Sequence, residues 1–270
     1  MKLSIIILNY NTQNLLRLCL QNLIALKLDF PYEIIVVDNA SVDDSVDMMK
    51  EKFPQIKLIV SKINCGHARG NNLGIKQAQG EYILILNTDI IFKNSEDLSN
   101  LLKFMDQQSK VAIVGPRLLN GDGSVQRSCY RSYSLFTPIW RRTPLGKLKF
   151  AKRDLNNHLM NDFNHNETIV VEWILGACML LRKKFIEKYG AFDEIFFLYF
   201  ADYELCDRAS ANGYKVYYYH DTKIIHYHKR ESAQKSIWGG FGSLFNYITR
   251  IHIKDWLKYL SKKRQLNKKK

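Results

Sequence analysis

Asn87-Thr88-Asp89 directly follows Tyr82–Leu86, the strongest apolar run of the chain, and alternate residues at a strand end point the same way. Asn87 and Asp89 can therefore offer two oxygen ligands to one divalent ion, and Mg²⁺ or Mn²⁺ bridging phosphate oxygens needs only one or two protein contacts. His226 ends the late run Lys223–His226 and can complete that shell if the run returns to the rim that carries Asp89. A plain turn and a structural histidine are the competing readings. Asp38 follows Glu33–Val37 and opens Asp38-Asn39-Ala40-Ser41. A carboxylate there can accept from a base imide or a ribose hydroxyl, while Ser41 or Asp43 can cap the next helix. The stretch Asn64 to Gly74 places Gly66, Arg69, Gly70 and Asn72 at a helix entry. Glycine permits close backbone approach, a helix start favours anions, and Arg69 adds a fixed charge for a phosphate. It lacks the Gly-x-Gly-x-x-Gly spacing of dinucleotide dehydrogenases, and a tight helix entry explains it equally well. Asp202 follows the aromatic stretch Phe196–Phe200. Desolvation among aromatic walls raises a carboxylate pKa and makes it a better base, whereas a helix start opposes that shift. Asp202 and Glu204 are about 200° apart on a helix, so at most one faces a pocket.

The elements that must hold these groups alternate. Apolar runs at Leu3–Leu8, Glu33–Val37, Lys57–Val60, Tyr82–Leu86 and Val111–Val114 predict strands. Helical periods at about Gln13–Leu26, Asp43–Lys52, Ala68–Gln79 and Ser95–Gln108 separate them. The expected fold is α/β, a Rossmann-like, doubly wound, mostly parallel sheet with helices on both faces and a helical C-terminal tail. Such sheets bind ligands at the carboxyl ends of their strands, which directs attention to Asn9–Asn11, Asp38–Ser41, Asn64–Gly70 and Asn87–Asp89. Ser128 to Glu167 loses periodicity and reads as a long loop or lid. Regular structure resumes at Val170–Leu181, with helices at Lys183–Tyr189 and about Ala201–Ala211 and two short strands at Lys215–Tyr219 and Lys223–His226. The expected division is a catalytic domain over 1–232 and a basic tail over 233–270.

With 40 Lys and Arg against 26 Asp and Glu, the formal charge is +14, concentrated between Asp122 and Asp154 and again after Arg250. Charge alone does not choose among nucleic acid, an anionic membrane and a phosphorylated substrate. The five scattered cysteines form neither a disulfide framework nor a zinc site. The amino-terminal apolar run breaks at Asn9 and reads as a strand rather than a signal peptide, and the later run Trp173–Leu181 is about half a membrane span. In the tail, Phe245, Ile248, His252, Trp256 and Leu260 fall near one stripe, and Arg250, Lys254, Lys258 and Lys262 on another. This is either an interfacial anchor on an anionic membrane or an ordinary helix packed on the domain.

Taken in order, Leu8-Asn9-Tyr10-Asn11, Val36-Val37-Asp38-Asn39-Ala40-Ser41, Asn64-Cys65-Gly66, Gly70 to Gly74, Leu86-Asn87-Thr88-Asp89, Leu175 to Met179, Gly190 to Glu194, Phe197 to Phe200 and His226 resemble family 2 glycosyltransferases of the GT-A fold, in particular the rhamnosyltransferase-like branch. The resemblance covers roughly Leu3 to Ser232. It implies an inverting, metal-dependent transfer of a sugar, rhamnose or another hexose, from a dTDP- or UDP-sugar to a hydroxyl of a glycan or lipid-linked acceptor in bacterial surface polysaccharide synthesis. It implies Asp202 as general base, Asp38 at the nucleoside, Asn87-Thr88-Asp89 at the metal motif and His226 near the diphosphate. Asn9, Asn11, Gly66, Arg69 and Asn72 join the nucleotide site, with Mg²⁺ or Mn²⁺ on Asp89 and His226. The expected location is cytoplasmic, peripheral to the inner face of the membrane, with no nucleic acid as partner. Ala201 stands where the family usually has Glu, and Thr88 where it usually has Pro. A sugar-phosphate nucleotidyltransferase and a basic nucleic-acid-binding protein are the alternatives, and neither a triphosphate-binding glycine loop at Leu8–Thr12 nor a nucleic-acid-reading motif is present.

Overall fold

The computed structural model describes residues 1–227 and 247–267. The chain opens with β1 (Leu3–Asn9), α1 (Gln13–Ala25), β2 (Tyr32–Asp38), α2 (Ser45–Lys52), β3 (Lys57–Val60), α3 (Gly66–Ile75), β4 (Tyr82–Asn87), β5 (Ile90–Ile91) and α4 (Glu96–Gln107). It continues through β6 (Val111–Leu119), β7 (Val125–Gln126), β8 (Cys129–Tyr130), α5 (Thr137–Arg142), α6 (Lys149–His158), β9 (Ile169–Val170) and β10 (Trp173–Ile174). The remaining elements are β11 (Cys178–Arg182), α7 (Lys183–Tyr189), α8 (Ala201–Ala211), β12 (Lys215–His226) and α9 (Tyr247–Asn267).

The main sheet runs β3-β2-β1-β4-β11-β6-β12-β5. Strands β2 and β3 wind to one side of β1 and β4 lies on the other, so the switch point falls between β1 and β4. Strand β11 is antiparallel to both β4 and β6, and β12 is parallel to β6. The end of β12 therefore returns to the rim where β4 ends. Alternation along the strands feeds two cores. Leu3, Ile5, Ile7, Leu84 and Leu86 pack beneath α1, α2 and α4, and Ile6, Ile83 and Ile85 pack toward α3 and α8. Each such fully buried branched side chain contributes about 1.5–3 kcal/mol. The glycines of α3 let it approach the sheet closely: a Cβ on Gly70 or Gly74 would meet the side chains of Leu8 or Ile6 at 2.6 and 2.5 Å.

Two expectations need correction, the loop over 128–167 and the two separate final strands. Ser128 to Glu167 is not a structureless loop but carries β8, α5 and α6, and its aromatic residues reach the core, with Tyr130 stacked on Trp173 at 4.3 Å between ring centroids. Its helices are too short to leave a readable period. Val170–Leu181 is broken into short strands, and the two final strands are one bulged strand whose register shifts between Tyr219 and Lys223. The tail is a helix docked on the domain, and its buried residues are Thr249, His252, Asp255 and Tyr259, with Trp256 and Leu260 partly buried beside them. Phe245, His228, Lys229, Arg230 and the expected boundary at 232/233 lie outside the described residues.

A polar interaction fixes the docking of α9. Asp255 is fully buried, and its carboxylate accepts from the backbone N–H groups of Phe197, Leu198 and Tyr199 at 3.0–3.3 Å. Lys258 pairs with Asp255 and donates to the carbonyl of Ile195. Lys262 bridges Asp193 and Glu204, and Tyr259 donates to Asp207. Lys258 and Lys262, expected on the solvated stripe, thus face the domain. Asp255→Ala removes the acceptor of three strap amides and leaves Lys258 without its partner, and urea unfolding is expected to register a loss of about 2–4 kcal/mol. Lys254→Ala, exposed on the same helix, is expected to shift stability by less than about 0.5 kcal/mol.

Candidate active site

Parallel pairing sets Asn9 beside Asp38 and Leu8 beside Asn87, so the ends of β1, β2 and β4 form one rim. The Asn9 amide donates to Asp38 Oδ2 at 2.9 Å and to Ser41 Oγ at 3.1 Å, and its carbonyl accepts from the Thr12 hydroxyl at 2.7 Å. The Thr12 and Thr88 hydroxyls are 3.1 Å apart, which ties the β1 turn to the β4 turn. The other Asp38 oxygen accepts from the Ser41 N–H at 2.9 Å. Asn11, at φ 54°, accepts from the Val42 N–H at 2.8 Å and joins the first two turns. Asn39, which sequence reasoning passed over, is buried and accepts from the Cys65 N–H while donating to Asn64. Each Asp38 oxygen has one partner here and retains acceptor capacity.

Beyond β4, the two-residue strand β5 pairs with the end of β12, and this brings His226 to Asp89 with Nε2 and Oδ1 3.2 Å apart. The opposite ring nitrogen, Nδ1, lies 2.6 Å from the Gln126 carbonyl oxygen. Gln126 itself donates to Asn120 at 3.1 Å, which orients its oxygen toward the ring. Nδ1 therefore donates to Gln126, which fixes the ring so that Nε2 faces Asp89. Neighbouring ligands at about 2.1 Å from an octahedral ion are about 3.0 Å apart, close to the separation seen. Among the described residues no group of three or more His, Cys, Asp or Glu forms a metal cluster, so the pair suits an ion whose other ligands are water and phosphate. Asn87 is held at the rim by its N–H to the Ala177 carbonyl at 2.9 Å.

On α8, Asp202 Oδ1 accepts from its neighbour Tyr203 N–H at 2.8 Å and Oδ2 from the Gly176 N–H at 3.1 Å. It is half-buried, and no Lys or Arg forms an ion pair with it among the described residues. Burial pushes its pKa up from the usual 3.8, and the two amide donors only partly offset that shift. Glu204, on the other face of the helix, is engaged by Arg208 at 2.8 Å and Lys262 at 2.7 Å. Gly176 holds Asp202 while the next residue, Ala177, holds Asn87. The carboxylate and the metal rim are thus neighbours across a two-residue bridge ahead of β11.

The strap Phe197–Phe200 leads into α8. Its Phe197 carbonyl accepts from the His67 N–H at 2.6 Å, and Phe200 sits at φ 66°, strained for a bulky residue by about 1–2 kcal/mol. Burial drives the His67 pKa down to about 4, so this imidazole is a neutral wall of the site. Gly66 has φ 83°, and a Cβ there would fall 2.3 Å from the Phe197 oxygen. The sequence-predicted groups Gly66 and Asn72 are in this way engaged with the strap side. The Asn72 amide donates to the Phe192 carbonyl and to Glu194, and its oxygen accepts from the Phe192 N–H. Arg69 is exposed, with its guanidinium 3.8 Å from Glu194. Gln126, His67, Gly176 and Asp255 were missed, for each acts on another functional residue rather than standing in a recognisable pattern.

A switch-point rim, an Asp–His pair and a desolvated carboxylate beside it are an arrangement suited to binding a nucleotide diphosphate next to a base. The profile of glycosyl transferase family 2 matches residues 4–190, and the chain belongs to that family. It is 24% identical over 229 residues to the N-acetylglucosaminyl-diphospho-decaprenol L-rhamnosyltransferase of Mycobacterium tuberculosis, covering 78% of this chain and 71% of that protein. It is 26% identical over 274 residues to rhamnosyltransferase WbbL of Escherichia coli K12, covering 97% and 94%. The fold matches mannosyltransferase PcManGT from Pyrobaculum calidifontis, solved with GDP-Man and Mn²⁺, with TM-score 0.56 and 19% identity over 85% of this chain and 58% of that one. Family membership selects glycosyl transfer over nucleotidyl transfer and nucleic-acid binding as the activity. Gly66→Ala is expected to cost about 2–4 kcal/mol in thermal or urea unfolding. Gly213→Ala, at φ 77° with open space around it, is expected to cost only about 1 kcal/mol, so the difference reports the strap contact.

Proposed function

We propose that this protein is an inverting, metal-dependent glycosyltransferase that moves rhamnose or another hexose from a dTDP- or UDP-sugar to a hydroxyl of a lipid-linked glycan. The placement of Asp202 carries the reading: a carboxylate whose pKa burial raises, held by neutral amides and joined through the two-residue bridge Gly176-Ala177 to the rim that carries Asp89 and His226. The kinship with rhamnosyltransferases, one of which is named for a diphospho-decaprenol substrate, supports the deoxysugar and the lipid carrier. Asp38, with Asn9, Asn11, Asn87 and Thr88 behind it, receives the nucleoside. Arg69 serves a phosphate only by leaving Glu194, and Asn72 and Gly66 act by holding the wall. The same reading puts the enzyme on the cytoplasmic side, peripheral to the membrane; no helix among the described residues is long and apolar enough to cross one.

Asp89 and His226 would hold Mg²⁺ or Mn²⁺, and Gln126 keeps the histidine in the tautomer that a cation requires. When bound, the ion supplies positive charge to the diphosphate leaving group. Asp202 takes the proton of the acceptor hydroxyl as its oxygen bonds to the anomeric carbon, and the bond from that carbon to the diphosphate breaks on the opposite face. Configuration at that carbon inverts. The two amide donors fix the direction of the carboxylate without lowering its basicity as an ion pair does.

Asp202→Asn keeps shape and removes the base, so turnover is expected to fall about 10²–10⁴-fold in a radiolabelled-sugar transfer assay. A variant with near-normal turnover eliminates the assignment. Protonated Asp202 cannot accept a proton, so kcat/KM is expected to fall as pH drops through its pKa, which burial raises. EDTA is expected to abolish transfer and Mn²⁺ to restore it. Gln126→Leu should raise the Mn²⁺ concentration for half-maximal rate by about 10–100-fold, and an unchanged requirement removes His226 from the metal shell.

A further inference from the structure

Between the strap and the first turns of α9 lies a cavity of about 560 Å³. Phe197, Tyr247 and Ile251 give it apolar walls, and Arg250, Lys254 and Lys258 give it a cationic rim. The carboxylate that lines it, Asp255, is already neutralised: it is fully buried, accepts from three strap amides and pairs with Lys258 at 3.2 Å. Arg250 and Lys254 are exposed and one helical turn apart, and neither forms an ion pair among the described residues. The local balance is two uncompensated positive charges over an apolar floor.

A phosphate or diphosphate ester of a hydrocarbon is the complementary shape, with anionic oxygens for the two cations and carbon for the floor. Phe197 is common to cavity and strap: its ring lines the cavity, its N–H binds Asp255, its carbonyl binds His67, and the chain reaches Asp202 five residues later. We propose that this cavity is the acceptor's head-group site, taking the phosphate of an amphiphilic acceptor on Arg250 and Lys254 and its first apolar carbons against Phe197, Tyr247 and Ile251. The inference rests on the proposed transfer to a lipid-linked acceptor and names where that acceptor is recognised. It also gives the basic stripe of the tail a stereospecific role in place of a general attraction to membranes.

The test is calorimetric titration of the full chain, in EDTA, with geranyl diphosphate, inorganic diphosphate and geraniol. Geranyl diphosphate is expected to bind at least about tenfold more tightly than inorganic diphosphate, and geraniol not at all. Each charge-assisted contact is worth about tenfold, so Arg250→Gln with Lys254→Gln is expected to weaken geranyl diphosphate binding by about tenfold or more. Both positions are exposed, so thermal stability should be retained. Thermal stabilisation by dTDP or UDP with Mn²⁺, read on the same two proteins, reports the donor site independently. Equal affinity of the double variant and the parent for geranyl diphosphate overturns the proposal, as does inorganic diphosphate binding as tightly as the ester. Loss of donor binding and of transfer in the parent chain overturns the functional reading instead.

Discussion

Strand β11 runs against both of its neighbours, and because β4 and β6 consequently point the same way, β12 beside β6 delivers its last residue to the rim where β4 ends. The same orientation starts β11 at the active rim, which places Gly176 and Ala177 where their backbone joins Asp202 to Asn87. The Asp89–His226 pair and Asp202 are thus located by backbone hydrogen bonding, which is rigid, rather than by long side chains reaching across a cleft.

Helix α8 separates its two acidic residues by environment. Glu204 lies on the face turned to Arg208 and Lys262 and is neutralised there. Asp202 lies on the other face, held by two amides and desolvated by burial. A carboxylate engaged by a guanidinium would be better stabilised and a poorer base, so leaving Asp202 without a cation costs stability and preserves its reactivity. The strained Phe200, two residues before it, is a second local cost. The α9 contacts offset both, because Asp255 orders three consecutive amides of the strap.

The donor half of the molecule was legible in the sequence because its signals are local. Five apolar runs of strand length alternate with helical periods, and each polar cluster sits directly after a run, so Asn9, Asp38 and Asp89 could be placed at strand ends without a structure. The approach of His226 to Asp89 was legible only as a condition, since strand direction depends on long-range pairing. The acceptor half was harder. Short helices in 128–167 leave no period, and the face by which α9 docks adds Asp255 and Tyr259 to the His252, Trp256 and Leu260 that an apolar stripe selects. Gln126 and Asp255 carry no pattern of their own, since each is defined by a backbone or ring atom far away in the chain.

The span of the family match bears on this division. It ends at residue 190, so it contains Asn9, Asp38, Asn87 and Asp89, whereas Asp202, the strap, His226 and α9 all come later. Binding a nucleotide diphosphate poses the same geometric problem whatever the acceptor, and one arrangement of strand ends solves it. Recognition of an acceptor has no such common solution, because glycans and carriers differ in charge, length and polarity. On the proposed reading, substitutions that redirect the enzyme to a new acceptor belong to the wall formed by the strap and α9, where Phe197 and Asp255 meet. There a change in side-chain shape would alter the proposed acceptor's approach to Asp202 while the switch-point rim and its Asp–His pair stay as they are.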